Sequence, residues 1–365
     1  MRKEYFIFII GCVLFSCTTN KAEFSDDNPN LIIITIDGLR WQEIFEGADS
    51  LLLYDDKFKK SQARRLTSKY WSENPEKRRE VLMPFLWNIV AKNGNLYGNR
   101  NLGNKVTVRN PYNISYPGYS EIFTGYADTT INSNQMVLNP NTNFLEVINQ
   151  HPEYNGKVAA FASWDRIHGY LNDDRNEFFI NGGYNPVKGE NLTLLQTTLN
   201  NLQSLYHGSE SSRHDYITYL HAKQYLKLHK PKVLSIGFAW TDDMAHDGSY
   251  PQYLDKAHTF DNMIQDLWEY VQSQPEYKNN TTLAITVDHG RGLGEHWTSH
   301  GSKIEYSDEI WLAIMGPKII PKGEISDDME IFQDQIAATL SKLLSIDFEP
   351  EHPTGPYISH IITEN

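Results

Sequence analysis

Five residues with strong donor atoms crowd three short stretches in the second half of the chain: Asp242 and His246, Asp288 and His289, and His300. A sixth, Asp37, lies far upstream at the end of the apolar run LIIITIDG (31–38). Carboxylate oxygens mixed with imidazole nitrogens suit zinc, and manganese or iron less often, whereas calcium would want oxygens alone. Six such ligands are enough for two divalent ions, zinc in first place with manganese as the alternative. A two-metal centre usually serves hydrolysis or transfer at phosphorus.

Buried strands must position these groups. Apolar, β-branched runs recur at LIIITID (31–37), KVTV (105–108), KVAAFAS (157–163), KVLSIGF (232–238), TLAITVD (282–288) and IWLAIM (310–315). Most are nearly continuous rather than alternating, the pattern of strands covered on both faces of a parallel sheet. Helical periodicity falls between them at 81–92, 142–150, 213–229, 253–273 and 330–344. The alternation predicts an α/β fold with a doubly wound, mostly parallel sheet flanked by helices, in one domain over 31–350. The charged stretch 55–79 and the Asn/Gly-rich stretch 172–191 interrupt the rhythm and are expected to be insertions; 351–365 is a C-terminal tail.

Ligands of such sheets bind beyond the carboxyl ends of the strands, where Asp37, Asp242 and Asp288 all fall. Asp242 and His246, at i and i+4, share one face if a helical turn starts there, while Asp243 points away. A buried strand has little reason to end on Asp288-His289 unless something holds both groups, and Gly290 then allows a sharp turn. His296 in GEHWT competes with His300 in WTSHG. His151, His207, His214, His221, His229, His258, His352 and His360 are assigned to ordinary surface or core roles.

Export is written into the first residues. Arg2 and Lys3 precede an apolar segment, 5–15, too short to span a membrane but suited to a secretory h-region. The segment ends in Leu14-Phe15-Ser16-Cys17, which resembles a bacterial lipobox; Cys12 is the weaker alternative. Residues 1–17 are therefore expected to be a lipoprotein signal peptide, Cys17 the lipid anchor to a bacterial membrane, and 18–30 a polar tether. The protein is then a periplasmic or cell-surface lipoprotein. Both cysteines of the chain lie in this leader, so the body has no disulfide and no thiolate ligand. A formal net charge of −13 opposes a nucleic-acid partner, and a small anionic substrate would need local positive charge such as metals provide.

In their order along the chain, TIDG with Asp37, Asp242-x-x-x-His246, VDHG with Asp288 and His289, and SHG with His300 resemble the alkaline phosphatase superfamily, over residues 31 to about 301. The resemblance implies one metal on Asp242, His246 and His300 and a second on Asp37, Asp288 and His289. It also implies a serine or threonine nucleophile bridging the two, which in the phosphodiesterase branch precedes an aromatic-Pro pair. In NISYPGYSEIFTG (113–125) that is Ser115, with Ser120 and Thr107 as lesser substitutes. Metal coordination can activate a serine hydroxyl without a histidine base. A bland alternative for Ser115 is a helix N-cap.

Asn134, or else Asn132, stands near the asparagine with which the diesterase branch binds a nonbridging oxygen. Arg166 in SWDRIHG resembles a phosphate clamp of some monoesterases, although the lysine expected two residues earlier is Trp164 here, and an ion pair with Asp165 or Asp174 is an equal alternative. The Cys- or Ser-x-Pro-x-Arg motif of sulfatases is missing, since Ser115-Tyr-Pro-Gly-Tyr lacks the arginine. The expected function is an exported, metal-dependent phosphomonoesterase or phosphodiesterase acting on a small phosphate ester through a phosphoserine. Alternatives are a phosphomutase of the same scaffold and a non-catalytic surface-binding lipoprotein.

Overall fold

Seven residues from Asn30 to Ile36 form β1, all of them buried, and this strand lies in the middle of the molecule. Such continuous burial needs cover on both faces, which parallel neighbours with crossover helices supply. The computed structural model describes residue 1 and residues 28–54, 60–206, 209 and 211–362. The leader after Met1 and most of the tether, with Cys12 and Cys17, lie outside the described residues.

The other strands are β2 (Gly94–Tyr97), β3 (Asn104–Thr107), β4 (Val158–Ala162), β5 (Phe179–Gly182), β6 (Val233–Phe238), β7 (Thr281–Thr286), β8 (Glu309–Ile310), β9 (Leu312–Met315), β10 (Gly323–Glu324) and β11 (Met329–Phe332). Eight form a sheet in the order β10-β2-β9-β7-β1-β6-β4-β5. All its pairings are parallel except those of β9 with β2 and with β7. The fold is thus α/β with a mostly parallel central sheet flanked by helices. A separate sheet has the order β11-β3-β8.

Three strand expectations change. KVTV (105–108) belongs to the small sheet, so its apolar residues are buried without a place in the central layer. IWLAIM (310–315) splits at Trp311 between the two sheets, and its second half runs antiparallel. Within 172–191 lies an edge strand, β5, whose short FING sequence gives too little periodicity to be read as one. The described part of 55–79 carries helices Lys60–Tyr70 and Pro75–Leu82.

Register sets the working edge of the sheet. Ile36 pairs with Phe238, and Thr35 with both Gly237 and Thr286, so β1, β6 and β7 end side by side. Asp37 follows β1 directly, and Asp288 lies two residues beyond β7. Asp242 comes from the helix Trp240–His246 that starts two residues after β6. Among the described residues no helix is long and apolar enough to cross a membrane.

Candidate metal centre

Asp37, Asp288 and His289 converge at this edge and are all buried. The Nε2 atom of His289 is 3.3 Å from Asp37 Oδ1 and 3.4 Å from Asp288 Oδ2. Its other nitrogen, Nδ1, lies 2.9 Å from the Gly290 carbonyl, which can only accept, so Nδ1 carries the proton and Nε2 presents a lone pair. Asp37 Oδ1 and Asp288 Oδ2 are buried without any hydrogen-bond partner. Unpaired buried carboxylate oxygens are costly, and a cation between them and the imidazole would satisfy all three. Burial pushes the Asp37 carboxyl well above its ordinary range, with Asp242 adding repulsion; burial and then Asp37 do the same to Asp288. The donor set and its unpaired atoms fit a divalent metal.

A second cluster within 4.8 Å comprises Asp242, His289 and His300. His246 joins it at the rim, its Nε2 3.1 Å from Asp242 Oδ2 and 3.1 Å from His300 Nε2. His300 also donates through Nδ1 to a backbone carbonyl, that of Asn113 at 3.0 Å, which aims its Nε2 at the cluster. Burial and the neighbouring His289 push His300 down to about 3, keeping its lone pair free at neutral pH. His296 is exposed and outside both clusters. Each half of the centre therefore has three donors, with His289 standing between them.

Ser115 is the first residue of the helix Ser115–Thr124, and its Oγ lies 3.3 Å from His289 Nε2. It caps nothing, since the N-cap position is Ile114, which makes no side-chain cap bond. Close approach of this helix to the sheet requires Gly118, where a Cβ would meet the Asp288 carbonyl oxygen at 2.3 Å. Gly38, at φ +59°, is equally constrained: a Cβ would lie 3.0 Å from Asp242 Oδ1 and 2.8 Å from an Arg291 nitrogen. Ser120 instead accepts from Asn139, and Thr107 bonds Glu330 in the small sheet, so neither reaches the centre.

No family model matches the chain, and no curated protein matches it in sequence. Solved structures do. Alkaline phosphatase PafA aligns with a TM-score of 0.59 at 12% identity, over 92% of this chain and 99% of that one. The phosphonate monoester hydrolase SpPMH from Silicibacter pomeroyi gives 0.56 at 13%, covering 91% and 76%. BT1596, a 2-O GAG sulfatase, gives 0.56 at 14%, covering 91% and 73%. The fold is alkaline phosphatase-like, shared with all three.

On this alkaline phosphatase scaffold the two looser sequence assignments meet. Asn134 Oδ1 accepts from the backbone N–H of Tyr116 at 2.9 Å, one residue past Ser115, and its carbonyl accepts from Arg166 Nε at 3.0 Å. Asn132 makes neither contact. Arg166 Nη1 is paired with Asp165 at 2.6 Å, so its charge is partly spent on a neighbour, as the surface alternative required.

Four supporting residues escaped sequence reasoning. Arg291, buried, donates to Asp242 and to the carbonyls of Trp297 at 2.9 Å and Thr298 at 2.6 Å, tying the His300 loop to the ligand helix. Burial raises Asp242, but Arg291 and then the histidines outweigh it and hold the carboxyl well below its usual range. Asp215 accepts from the N–H groups of Ala239 at 3.1 Å and Trp240 at 2.9 Å, where the Asp242 helix begins. Glu121 accepts from Arg109 N at 2.9 Å and Asn110 N at 2.8 Å and so fixes the loop before Ser115. Gln333 donates to the Asp288 carbonyl at 2.9 Å. Only Arg291 left a sequence signal, a cation two residues after a ligand at a strand end.

Proposed function

We propose that this superfamily-fold protein is an exported, lipid-anchored hydrolase of small phosphate esters that uses two divalent ions, zinc before manganese. The observation that carries the reading is Ser115 Oγ, 3.3 Å from the one imidazole shared by both ligand clusters. Asp37, Asp288 and His289 would hold one ion, and Asp242, His246 and His300 the other. Bound there, the ions would supply positive charge beside the Ser115 oxygen and the ester oxygen.

Ser115 sits at the start of a helix, so its oxyanion and the incoming phosphoryl group meet the positive end of the helix dipole. Its oxygen attacks phosphorus and the ester oxygen leaves as the alcohol, giving a phosphoserine that water cleaves to phosphate and free serine. Asn134 turns its carbonyl oxygen to Tyr116 N, which leaves the amide nitrogen as the donor for a nonbridging oxygen. Arg166 steadies Asn134 through its carbonyl. Sulfate esters form the competing class, supported by the sulfatase neighbour; against it stands Tyr119, where the sulfatase motif has arginine, buried with its hydroxyl 3.4 Å from Asp37.

The test compares p-nitrophenyl phosphate, bis-p-nitrophenyl phosphate and p-nitrophenyl sulfate with added zinc or manganese. Ser115→Ala should lower kcat by about 10³-fold or more, since a lost nucleophile removes the covalent route. Equal rates for wild type and variant would remove Ser115 from this role, and preference for the sulfate ester would overturn the substrate class.

A further inference from the structure

Beside the serine helix three consecutive apolar side chains face solvent: Met136, Val137 and Leu138 are 44%, 47% and 46% exposed. Scattered exposed apolar residues are ordinary, but a contiguous run held in place is not. This run is held. Tyr116, next to Ser115, donates its N–H to Asn134 at 2.9 Å and its hydroxyl to the Val137 carbonyl. At the other end the buried Asn139 donates through Nδ2 to Ser120 Oγ at 2.8 Å and through its backbone N–H to the Gly169 carbonyl at 3.0 Å. Gly169 is packed so closely that a Cβ there would meet the Val137 carbonyl at 2.6 Å and Met136 Sδ at 3.0 Å. The polar backbone thus faces the protein, while the three side chains, Met136 with its sulfur over Gly169, keep nearly half of their surface in solvent.

Residues 129–145 contain no Asp, Glu, Lys or Arg. Two cations flank the run and both are already paired: Arg166 is bonded to the Asn134 carbonyl and to Asp165, and Arg175 is bonded to the carbonyls of Pro140 and Asn141 and to Glu146. A highly charged nucleotide or sugar phosphate would find no unpaired counter-charge along the ledge, since both arginines already face carboxylates; an alkyl or aryl group would find apolar cover. We infer that Met136, Val137 and Leu138 are specificity residues that receive an apolar ester group, so that the substrates are phosphate esters of apolar alcohols. The inference rests on the phosphate-ester reading of the same site.

Two series test it: alkyl phosphates and alkyl p-nitrophenyl phosphates with methyl, butyl and octyl chains, kept below their micellar concentrations. A fully buried methylene contributes about 0.8 kcal/mol, and contact on one side about half of that, so kcat/KM should rise about twofold per methylene, mainly through KM. In the combined variant Met136→Ser, Val137→Ser, Leu138→Ser that dependence should nearly vanish, and Leu138→Ser alone should lower it partway. All three positions are solvent-facing, and an unchanged melting temperature checks that the variants fold. A chain-length dependence that is flat in wild type, or equally steep in the variant, overturns the ledge while the phosphate-ester reading stands. No turnover of either series by wild type overturns that reading, and the ledge with it.

Discussion

Replacing Asp288 with Asn should change the sign of its effect on stability according to whether metal is present. Without metal, Asp288 Oδ2 is buried with no partner, and its carboxyl faces Asp37. An unpaired buried polar atom costs about 1–3 kcal/mol. Asparagine keeps the Oδ1 that accepts from Gly38 N at 3.1 Å, and its Nδ2 would donate to the His289 lone pair, 3.4 Å from the replaced oxygen. In EDTA the variant should therefore be the more stable protein by about 1–2 kcal/mol, having lost a charge and gained a hydrogen bond. With zinc at about 1,000 times its dissociation constant, bound metal adds about 4 kcal/mol to wild type. At about 2.1 cal/mol/K per residue, a chain of this length has an unfolding entropy near 0.8 kcal/mol/K, so each kcal/mol moves Tm by about 1.3 °C. Calorimetric melts should show Asp288→Asn about 2 °C above wild type in EDTA and, with its apo advantage set against the zinc gain of wild type, about 3–4 °C below it in zinc. Destabilisation of equal size in both conditions would make Asp288 a structural acceptor only. A wild-type Tm indifferent to zinc, manganese and EDTA would refute the metal centre.

Three other perturbations test separate parts of the reading. Arg291→Met breaks a buried pair and should cost about 3–5 kcal/mol in EDTA, but less in zinc, where the ion takes over the neutralisation of Asp242; urea unfolding in the two buffers measures the difference, and equal costs would contradict it. Burial, with Arg213 second, pushes His221 down to about 3, so between about pH 6.5 and 3 the unfolded chain binds a proton that the folded chain does not, and stability falls as pH falls. From pH 7 to 5 wild type should lose about 2 kcal/mol that His221→Leu keeps, and parallel urea stabilities at the two pH values would exclude this account. Cys17→Ser should release the protein from membranes into the soluble fraction; unchanged membrane partition by detergent phase separation would exclude that anchor.

What the sequence disclosed was the part governed by local rules. Continuous burial made β1, β4, β6 and β7 visible as apolar runs, and strand-end placement pointed to Asp37 and Asp288. The four strands share one direction and a level end, so residues more than 200 positions apart became neighbours. The passage from one sheet to the other at Trp311 could not be read in this way. Its indole N–H donates to the Leu39 carbonyl at 2.9 Å, a partner 272 residues away that leaves no mark in the local pattern. For the same reason Asp215 and Glu121 stayed hidden. Each is an acid early in or within a helix, indistinguishable by type from a solvated one until the fold brings backbone donors to it.

The two halves of the centre differ in how their charge is met. Asp37 and Asp288 are buried, each raising the cost of ionising the site, and their two inner oxygens have no protein donor. Asp242 already has the Arg291 guanidinium, and its histidine partner His246 is half exposed. A cation would therefore relieve an unmet charge in the inner half, whereas in the outer half it would share a carboxylate with an arginine at a partly solvated rim. Ser115 touches the inner half through His289, while the rim with Asn134 and Arg166 adjoins the same serine through Tyr116. Under the phosphate-ester reading proposed above, the inner half would hold its cation more firmly than the outer, which would leave room there for a substrate oxygen.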